Sequence, residues 1–262
     1  MARGGLFGRS FGGLFGSRRT RMLAVAVATV AVVATALATA LWTGVLHRPY
    51  PSRSELAVRG VDVSNHQGAV DWARVRAAGF SFAYIKASEG RTFTDPDYAG
   101  FAAGARRAGL RVGPYHFFTL CSPGADQAAR FIEASGGPVT GDLPPVVDLE
   151  FGGNCTQHPS AAQFDREYAA FDKAVTTAFG RPPILYVTGD FAGRYLDGAA
   201  ARRAPQAERR RWVRDLLGRP SGGCERWAFW QYGDRGRVDG IAGPVDLDAY
   251  CGDQPSFATL TS

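Results

Sequence analysis

Acid is missing from the first 54 residues, which carry seven arginines and no aspartate or glutamate. Taking those seven from the chain's 30 basic residues leaves 23 against 24 acids, so the net charge of +6 belongs to the N-terminal tail. The remainder is near neutral and shows no basic patch of the kind that binds nucleic acid. Arg202, Arg203, Arg209, Arg210, Arg211 and Arg214 are read as a solvated helix face. Lysine is scarce, with Lys86 and Lys173 the two in the chain. Cysteine and histidine number four each, and neither has metal-ligand spacing, so no metal and no cofactor are expected. No internal repeat stands out.

What the chain does have is one long apolar run. Met22 to Leu46 is 25 residues without a charge, preceded by Arg18, Arg19 and Arg21. Its length suits a bilayer-spanning helix, and the arginines would keep its N-terminus in the cytoplasm. The alternative is a cleavable export signal, with Ala38-Thr39-Ala40 as a small-x-small site. Either way, the chain beyond this run lies outside the cytoplasm, membrane-anchored or secreted. The expected organisation is a basic leader at 1–21, the apolar segment at 22–46, a linker at 47–58 and one catalytic barrel domain at 59–262.

An even number of cysteines in an exported chain favours two disulfides. Three connectivities are possible. Cys121–Cys155 and Cys224–Cys251 are expected, because each pair ties neighbouring loops; free buried thiols are the alternative.

Beyond the linker, short apolar runs alternate with helical stretches. Strands are expected at Gly60–Val63, Phe80–Ala87, Arg111–Phe118, Pro145–Glu150, Pro183–Val187, Trp227–Tyr232 and Val245–Leu247. Helices are expected at Asp71–Ala78, Asp97–Ala108, Ala125–Ala134, Ala161–Phe179, Phe191–Tyr195 and Gln206–Leu217. From Trp227 onward strands lie close together and no helix is expected. This rhythm gives an α/β barrel that starts as β/α units and closes with plain strands.

In such barrels the chemistry sits at the C-terminal ends of the strands. Asp62, Lys86, Ser88, Glu89, Tyr115, His116, Phe117, Asp148, Glu150, Tyr186, Thr188, Gln231, Tyr232, Asp246 and Asp248 fall at strand ends. Acids beside aromatics suit a sugar, whose apolar faces pack on rings while its hydroxyls bond to carboxylates. The stretch Pro145–Glu150, PVVDLE, carries the sharpest signal. Strand side chains alternate, so Asp148 and Glu150 share a face. Two neighbouring acids on a buried strand raise one another's pKa, and an acid kept protonated beside an ionised one is the equipment of a glycosidase. The plain alternative is a strand end whose acids are solvated or cap the next helix.

The motifs, in order, are GVDVSNHQG at Gly60–Gly68, YIKASEGRTFTD at Tyr84–Asp95, YHFF at Tyr115–Phe118 and VVDLE at Val146–Glu150. ILYVTG at Ile184–Gly189, WQY at Trp230–Tyr232 and GPVDLDAY at Gly243–Tyr250 complete the set. Together they resemble the signature of glycoside hydrolase family 25, the Chalaropsis-type lysozymes or N-acetylmuramidases. The resemblance covers about residues 59–252. It implies a modified TIM-like (β/α)5β3 barrel, here preceded by the N-terminal hydrophobic helix. It implies hydrolysis of the β-1,4 bond between N-acetylmuramic acid and N-acetylglucosamine in peptidoglycan glycan strands.

By the same resemblance Glu150 is the general acid. Asp148 orients the substrate's 2-acetamido group, or acts directly as base or nucleophile. Asp62 and Asp246 shape the charge of the site. Tyr115, Phe117, Tyr186, Gln231 and Glu89 are substrate contacts, with a structural Lys86–Glu89 pair as the alternative for Glu89. His66 stands where the family often has an aromatic residue. No wall-binding repeat comes after the last motif, so targeting is expected from the barrel or from residues 22–46 if they stay uncleaved. A monomer is expected. The competing readings are a catalytically silent glycan-binding barrel and a chitinase-like exported glycosidase. The longer acidic motif of a chitinase is absent upstream of Asp148, where Pro144, Pro145, Val146 and Val147 stand.

Overall fold

The computed structural model describes residues 18–42, 51, 55–198 and 209–261. The chain divides into two compact units, residues 1–49 and 50–262. The described residues of the first form helix α1, Arg18–Trp42. It starts within the stretch read as leader. Residues 1–17 and 43–46 of the expected leader and apolar segment lie outside the described residues, as does most of the linker.

The second unit is a closed barrel. Its elements are β1 Arg59–Val63, α2 Trp72–Ala77, β2 Phe82–Glu89, β3 Phe93–Thr94, α3 Tyr98–Arg107, β4 Arg111–Phe117, α4 Gly124–Ser135, β5 Val146–Leu149 and α5 Ala161–Phe179. Next come β6 Ile184–Val187, α6 Gly189–Phe191 running into a π-helical turn at Ala192–Leu196, β7 Arg211–Arg214, β8 Phe229–Gly236, β9 Val245–Tyr250 and α7 Gln254–Ala258. Around the barrel the order is β1-β9-β8-β7-β6-β5-β4-β2, closed by β1 on β2, with β3 an edge hairpin on β2. Five β/α units precede three plain strands, the expected (β/α)5β3 pattern. All barrel pairings are parallel except those of β9, which runs against both β1 and β8.

Alternation along each strand builds two cores. Outward side chains such as Val61, Ile85, Val147 and Leu185 pack under the helices. Helix α5 shows why: Phe164, Tyr168, Phe171, Val175 and Phe179 recur at helical spacing on its buried face. A Ser160–Gln163 capping box starts it, and Gly180, at φ 70°, ends it. Inward side chains form the second core: Phe82, Tyr84, Val146, Ile184, Trp212, Phe229 and Tyr250 fill the barrel below its C-terminal mouth. Phe257 of α7 joins them, 5.5 Å from Phe82 and 5.3 Å from Tyr250 between ring centroids. The C-terminal helix thus closes the lower end. Each fully buried Phe contributes about 1.5–3 kcal/mol.

Two glycines make room for this floor. Gly60 pairs with Phe82 and Gly113 with Tyr84. A methyl group at either position would come within 2.2 Å of the neighbouring ring. Both expected disulfides are present, Cys121–Cys155 and Cys224–Cys251.

Two expectations are corrected. Gln206–Leu217 is not a helix where it is described: Arg211–Arg214 is strand β7, inserted between β6 and β8. Its RWVR alternation places Trp212 in the barrel, and burying that ring outweighs helix propensity. Residues 206–208 lie outside the described residues. The segment after Trp227 does contain a helix, α7, which is too short to show a hydrophobic period; Asp253 caps it by accepting from Ser256 N.

Candidate active site

The C-terminal mouth holds a pocket of about 240 Å³. Asp62, Asp148, Glu150, Asp246, Tyr115, Phe117, Tyr186 and Gln231 all line it, together with Lys86, Trp212 and the β1–α2 loop residues Ser64, His66 and Gln67. That loop is held by Asp95, which accepts from Asn65 N at 3.0 Å.

Strand geometry puts each acid there. Asp148 lies in β5 between Phe117 of β4 and Tyr186 of β6. Glu150 comes directly after the strand, two residues on and on the same face. Asp246 reaches the mouth by another route than expected. Strand β9 is antiparallel, so its beginning, not its end, lies at the C-terminal mouth, and Asp246 pairs with Asp62. Asp248 is one step deeper, fully buried, and accepts from Trp212 Nε1 at 3.0 Å.

These acids interact. Asp62 accepts from Gln231 Nε2 at 2.8 Å, and Tyr186 OH donates to Gln231 Oε1 at 2.9 Å. Asp246 faces Asp62 in register across the seam. Burial pushes Asp62 up to about 6, and Gln231, Asp248 and Asp246 hold it from rising further. Burial and the Asp62 charge push Asp246 up to about 9 and Asp248 well above the usual carboxylate range. At neutral pH Asp62 is therefore the anion, beside two acids that hold their protons. Asp248 Oδ2 is buried without a hydrogen-bond partner among the described residues.

Burial pushes Glu150 up to about 7; the Arg214 charge pulls it down, and Asp62 pushes it further up. Burial, then the charges of Glu150 and Asp62, raise Asp148 well above the usual range. Asp148 Oδ1 is buried without a partner among the described residues. One proton is thus retained by the Asp148–Glu150 pair near neutrality. Tyr115 and Tyr186 are raised by burial, then by nearby carboxylates, and stay neutral.

Glu89 is placed differently from the other expected contacts. A register shift in β2 between Lys86 and Ser88 changes which side chains face the barrel. Lys86 Nζ lines the pocket, sits 5.2 Å from the Phe117 ring, and meets Glu89 Oε2 at 2.6 Å. Glu89 stands behind it, outside the lining. Ser88 and His116, which also fall at strand ends, point away to the helices. Ser88 Oγ donates to His116 Nδ1 at 2.8 Å, and His116 Nε2 donates to Gln127 Oε1 at 3.2 Å. Burial lowers His116 to about 3, so this ring is neutral and structural.

The loop carrying Glu150 is clamped. Asn154 Nδ2 donates to Glu150 O and to Phe118 O, both at 2.9 Å, while its Oδ1 accepts from Leu120 N at 2.8 Å. The Cys121–Cys155 disulfide ties the same two loops.

Sequence reasoning missed Trp212 and Arg214, because their segment read as helix. The inward face of RWVR, had it been taken as strand, was the available signal. Among the described residues no group of three or more His, Cys, Asp or Glu is placed to hold a metal ion.

A pocket of paired, protonation-shifted carboxyls above an aromatic floor is the arrangement of a glycan hydrolase. Comparison with known proteins agrees. The chain is 32% identical over 220 residues to Lysozyme M1 of Streptomyces globisporus, covering 78% of this chain and 71% of that protein. The structure of a family 25 glycosyl hydrolase from Bacillus anthracis superposes with a TM-score of 0.71 at 32% identity, covering 82% of this chain and 98% of that one. A bacterial lysozyme from Streptomyces coelicolor superposes with a TM-score of 0.70 at 31% identity, covering 78% and 98%. The profile described as Glycosyl hydrolases family 25 matches residues 61–241, and the chain belongs to that family.

Proposed function

We propose that this lysozyme cuts peptidoglycan at the β-1,4 bond between N-acetylmuramic acid and N-acetylglucosamine, with Glu150 as general acid. The observation that carries the reading is Glu150 itself: a carboxyl raised to about 7, beside Asp148 and aimed into the acid-lined pocket. An acid with a pKa near the working pH is the efficient proton donor for a leaving oxygen.

Asp148 supplies the partner role. Its unpartnered Oδ1 suits the N–H of a 2-acetamido group. That hydrogen bond favours ionised Asp148, and the charge so created keeps the proton on Glu150. The acetamido oxygen, oriented by Asp148, then attacks the anomeric carbon while Glu150 protonates the departing oxygen. Water opens the cyclic intermediate, giving up a proton to Glu150. Asp62, kept anionic by Asp246 and Asp248, stabilises positive charge developing at the sugar. Tyr115, Phe117, Tyr186 and Gln231 bind the sugar rings and hydroxyls.

The barrel acts outside the cytoplasm, as a monomer. Helix α1 carries it there: within its Arg18–Ala40 span an 18-residue window has a mean hydropathy of 2.3, and at 1.5 Å per residue the span's length exceeds a hydrocarbon core of about 30 Å. The helix either remains as a membrane anchor or is removed as an export signal. Fractionation with N-terminal sequencing of the mature chain separates the two.

The test of the chemistry is digestion of purified peptidoglycan beside a Glu150→Gln variant. New muramic-acid reducing ends from the unmodified chain alone support the reading. Glucosamine ends would move the cut to the other bond. Binding without cleavage would replace the enzyme with a glycan-binding barrel.

A further inference from the structure

The acid cluster has one feature that the hydrolytic roles leave unused. Strand β7 ends on Arg214, two residues beyond pocket-lining Trp212 and on the same face. Its ion pair among the described residues is with Asp234 Oδ2, at 3.0 Å, and not with Glu150. Asp234 comes from an irregular stretch of β8. Of two register shifts against β9, the first, between Gln231 and Gly233, precedes it and the second, between Gly233 and Gly236, spans it. Bulges beside active sites re-aim side chains. This one turns a carboxylate back over the end of β7.

We propose that Arg214 and Asp234 are positioning residues of the hydrolytic site: a guanidinium brought to the pocket mouth by β7, in register with pocket-lining Gln231, and held there by a carboxylate from the β8 bulge. The inference rests on the reading of Glu150 as general acid. A guanidinium bonded directly to Glu150 would strip its proton and leave the site without an acid. With no guanidinium nearby, four acids would crowd one pocket. The Arg214–Asp234 pair gives an intermediate field. From its place in register with Gln231, the Arg214 charge pulls Glu150, Asp62 and Asp246 down.

The other charged and titratable groups facing Glu150 are Asp62 of β1, Lys86 of β2, Asp148 of β5, Tyr186 of β6 and Asp190 beyond it. Lys86 is engaged by Glu89. Asp190 is exposed and screened by solvent. Arg214 is therefore the adjustable cation of the site.

The experiment is the pH dependence of kcat/KM on soluble peptidoglycan fragments, using the full chain in detergent. Arg214→Gln removes the positive field, so Glu150 keeps its proton to higher pH. The alkaline limb moves up by about half a pH unit or more. Asp234→Asn removes the opposing charge and moves the same limb down. Arg214→Lys keeps the charge and holds the limb near its original place. Thermal melting checks each fold, and Asp234→Asn with Arg214→Lys carries the test if Arg214→Gln fails to fold. An unmoved limb in folded Arg214→Gln or Asp234→Asn, or a shift of the same sign in both, overturns the inference. Glu150→Gln separates the two levels. If it is inactive while the limb stays fixed in the others, only the role of Arg214 and Asp234 falls. If it is fully active, the general-acid reading falls and takes this one with it.

Discussion

Asp62 and Asp246 face each other in register across the antiparallel seam of the barrel, and Asp62 accepts from Gln231 Nε2 at 2.8 Å. Burial raises Asp246 to about 9 but Asp62 only to about 6, so Asp246 holds its proton where Asp62 is ionised.

This asymmetry makes the two residues unequal under amide substitution. Asp246→Asn keeps a neutral side chain facing Asp62 and is expected to retain kcat/KM within about tenfold near neutral pH. Asp62→Asn leaves the Gln231 donor without an anion to accept it. Hydrogen bonds to charged groups are worth about 1.5–3 kcal/mol, so a loss of about 10²-fold is expected. Equal losses in the two variants, measured by kcat/KM on solubilised peptidoglycan, would sink the assignment of the proton.

The same raised acids tie stability to pH. Asp62, Glu150 and Asp246 bind protons more tightly folded than unfolded, with folded values of about 6, 7 and 9 against ordinary values of 3.8 to 4.5. Their contribution is complete below about pH 4 and is lost as pH rises through those three values. The barrel's melting temperature is expected to fall between mildly acid and alkaline pH. Asp246→Asn removes one titrating site and flattens the fall. A melting temperature independent of pH over that window, followed by near-UV circular dichroism, would contradict the buried protons.

Asn154 offers a separate test, since it does not itself line the pocket. Its side chain joins Glu150 O to Phe118 O and Leu120 N. Asn154→Ala is expected to lower kcat by tenfold or more with little change in KM, because proton delivery depends on placement of about 1 Å. A change in KM alone would count against the clamp. Reduction of Cys121–Cys155, which closes 34 residues over the same loops, is expected to cost about 3 kcal/mol and to deepen the defect.

Gly60 tests the barrel floor. Gly60→Ala drives a methyl into the Phe82 ring and is expected to destabilise the barrel by about 1–3 kcal/mol, read by denaturant titration. Pairing it with Phe82→Leu should recover part of the loss. If Gly60→Ala were neutral, the ring would not be packed against that backbone.

Much of this site was legible before the structure because its parts are local. VVDLE shows its alternation in five letters, and YHFF sorts itself the same way, with Tyr115 and Phe117 to one side and His116 to the other. Parity alone would have set His116 apart from the mouth. Strand β7 was hidden because it is four residues long with arginine at both ends, in a stretch whose charge reads as solvated helix. Its strand character comes from tertiary contact: Trp212 packs 4.8 Å from Tyr84 and 5.1 Å from Tyr186. Asp246 was found for an incomplete reason, since the rule about strand ends holds for parallel strands and β9 runs the other way. Direction is a property of the sheet, and nothing in GPVDLDAY states it. The β2 bulge, which parts Lys86 from Ser88, is likewise visible only in the register.

The closed floor of the barrel governs traffic. With Phe257 and the ring layer of Phe82, Tyr84, Trp212 and Phe229 beneath it, the acid cluster opens, among the described residues, at the C-terminal mouth. Sugar, water and protons all use it. Once a glycan strand lies across the mouth, Asp62, Asp246 and Asp248 no longer exchange protons freely with bulk water. The enzyme then carries into each turnover the protonation it held when the substrate arrived, and the acidity of the surrounding wall is sampled between cuts instead of during them.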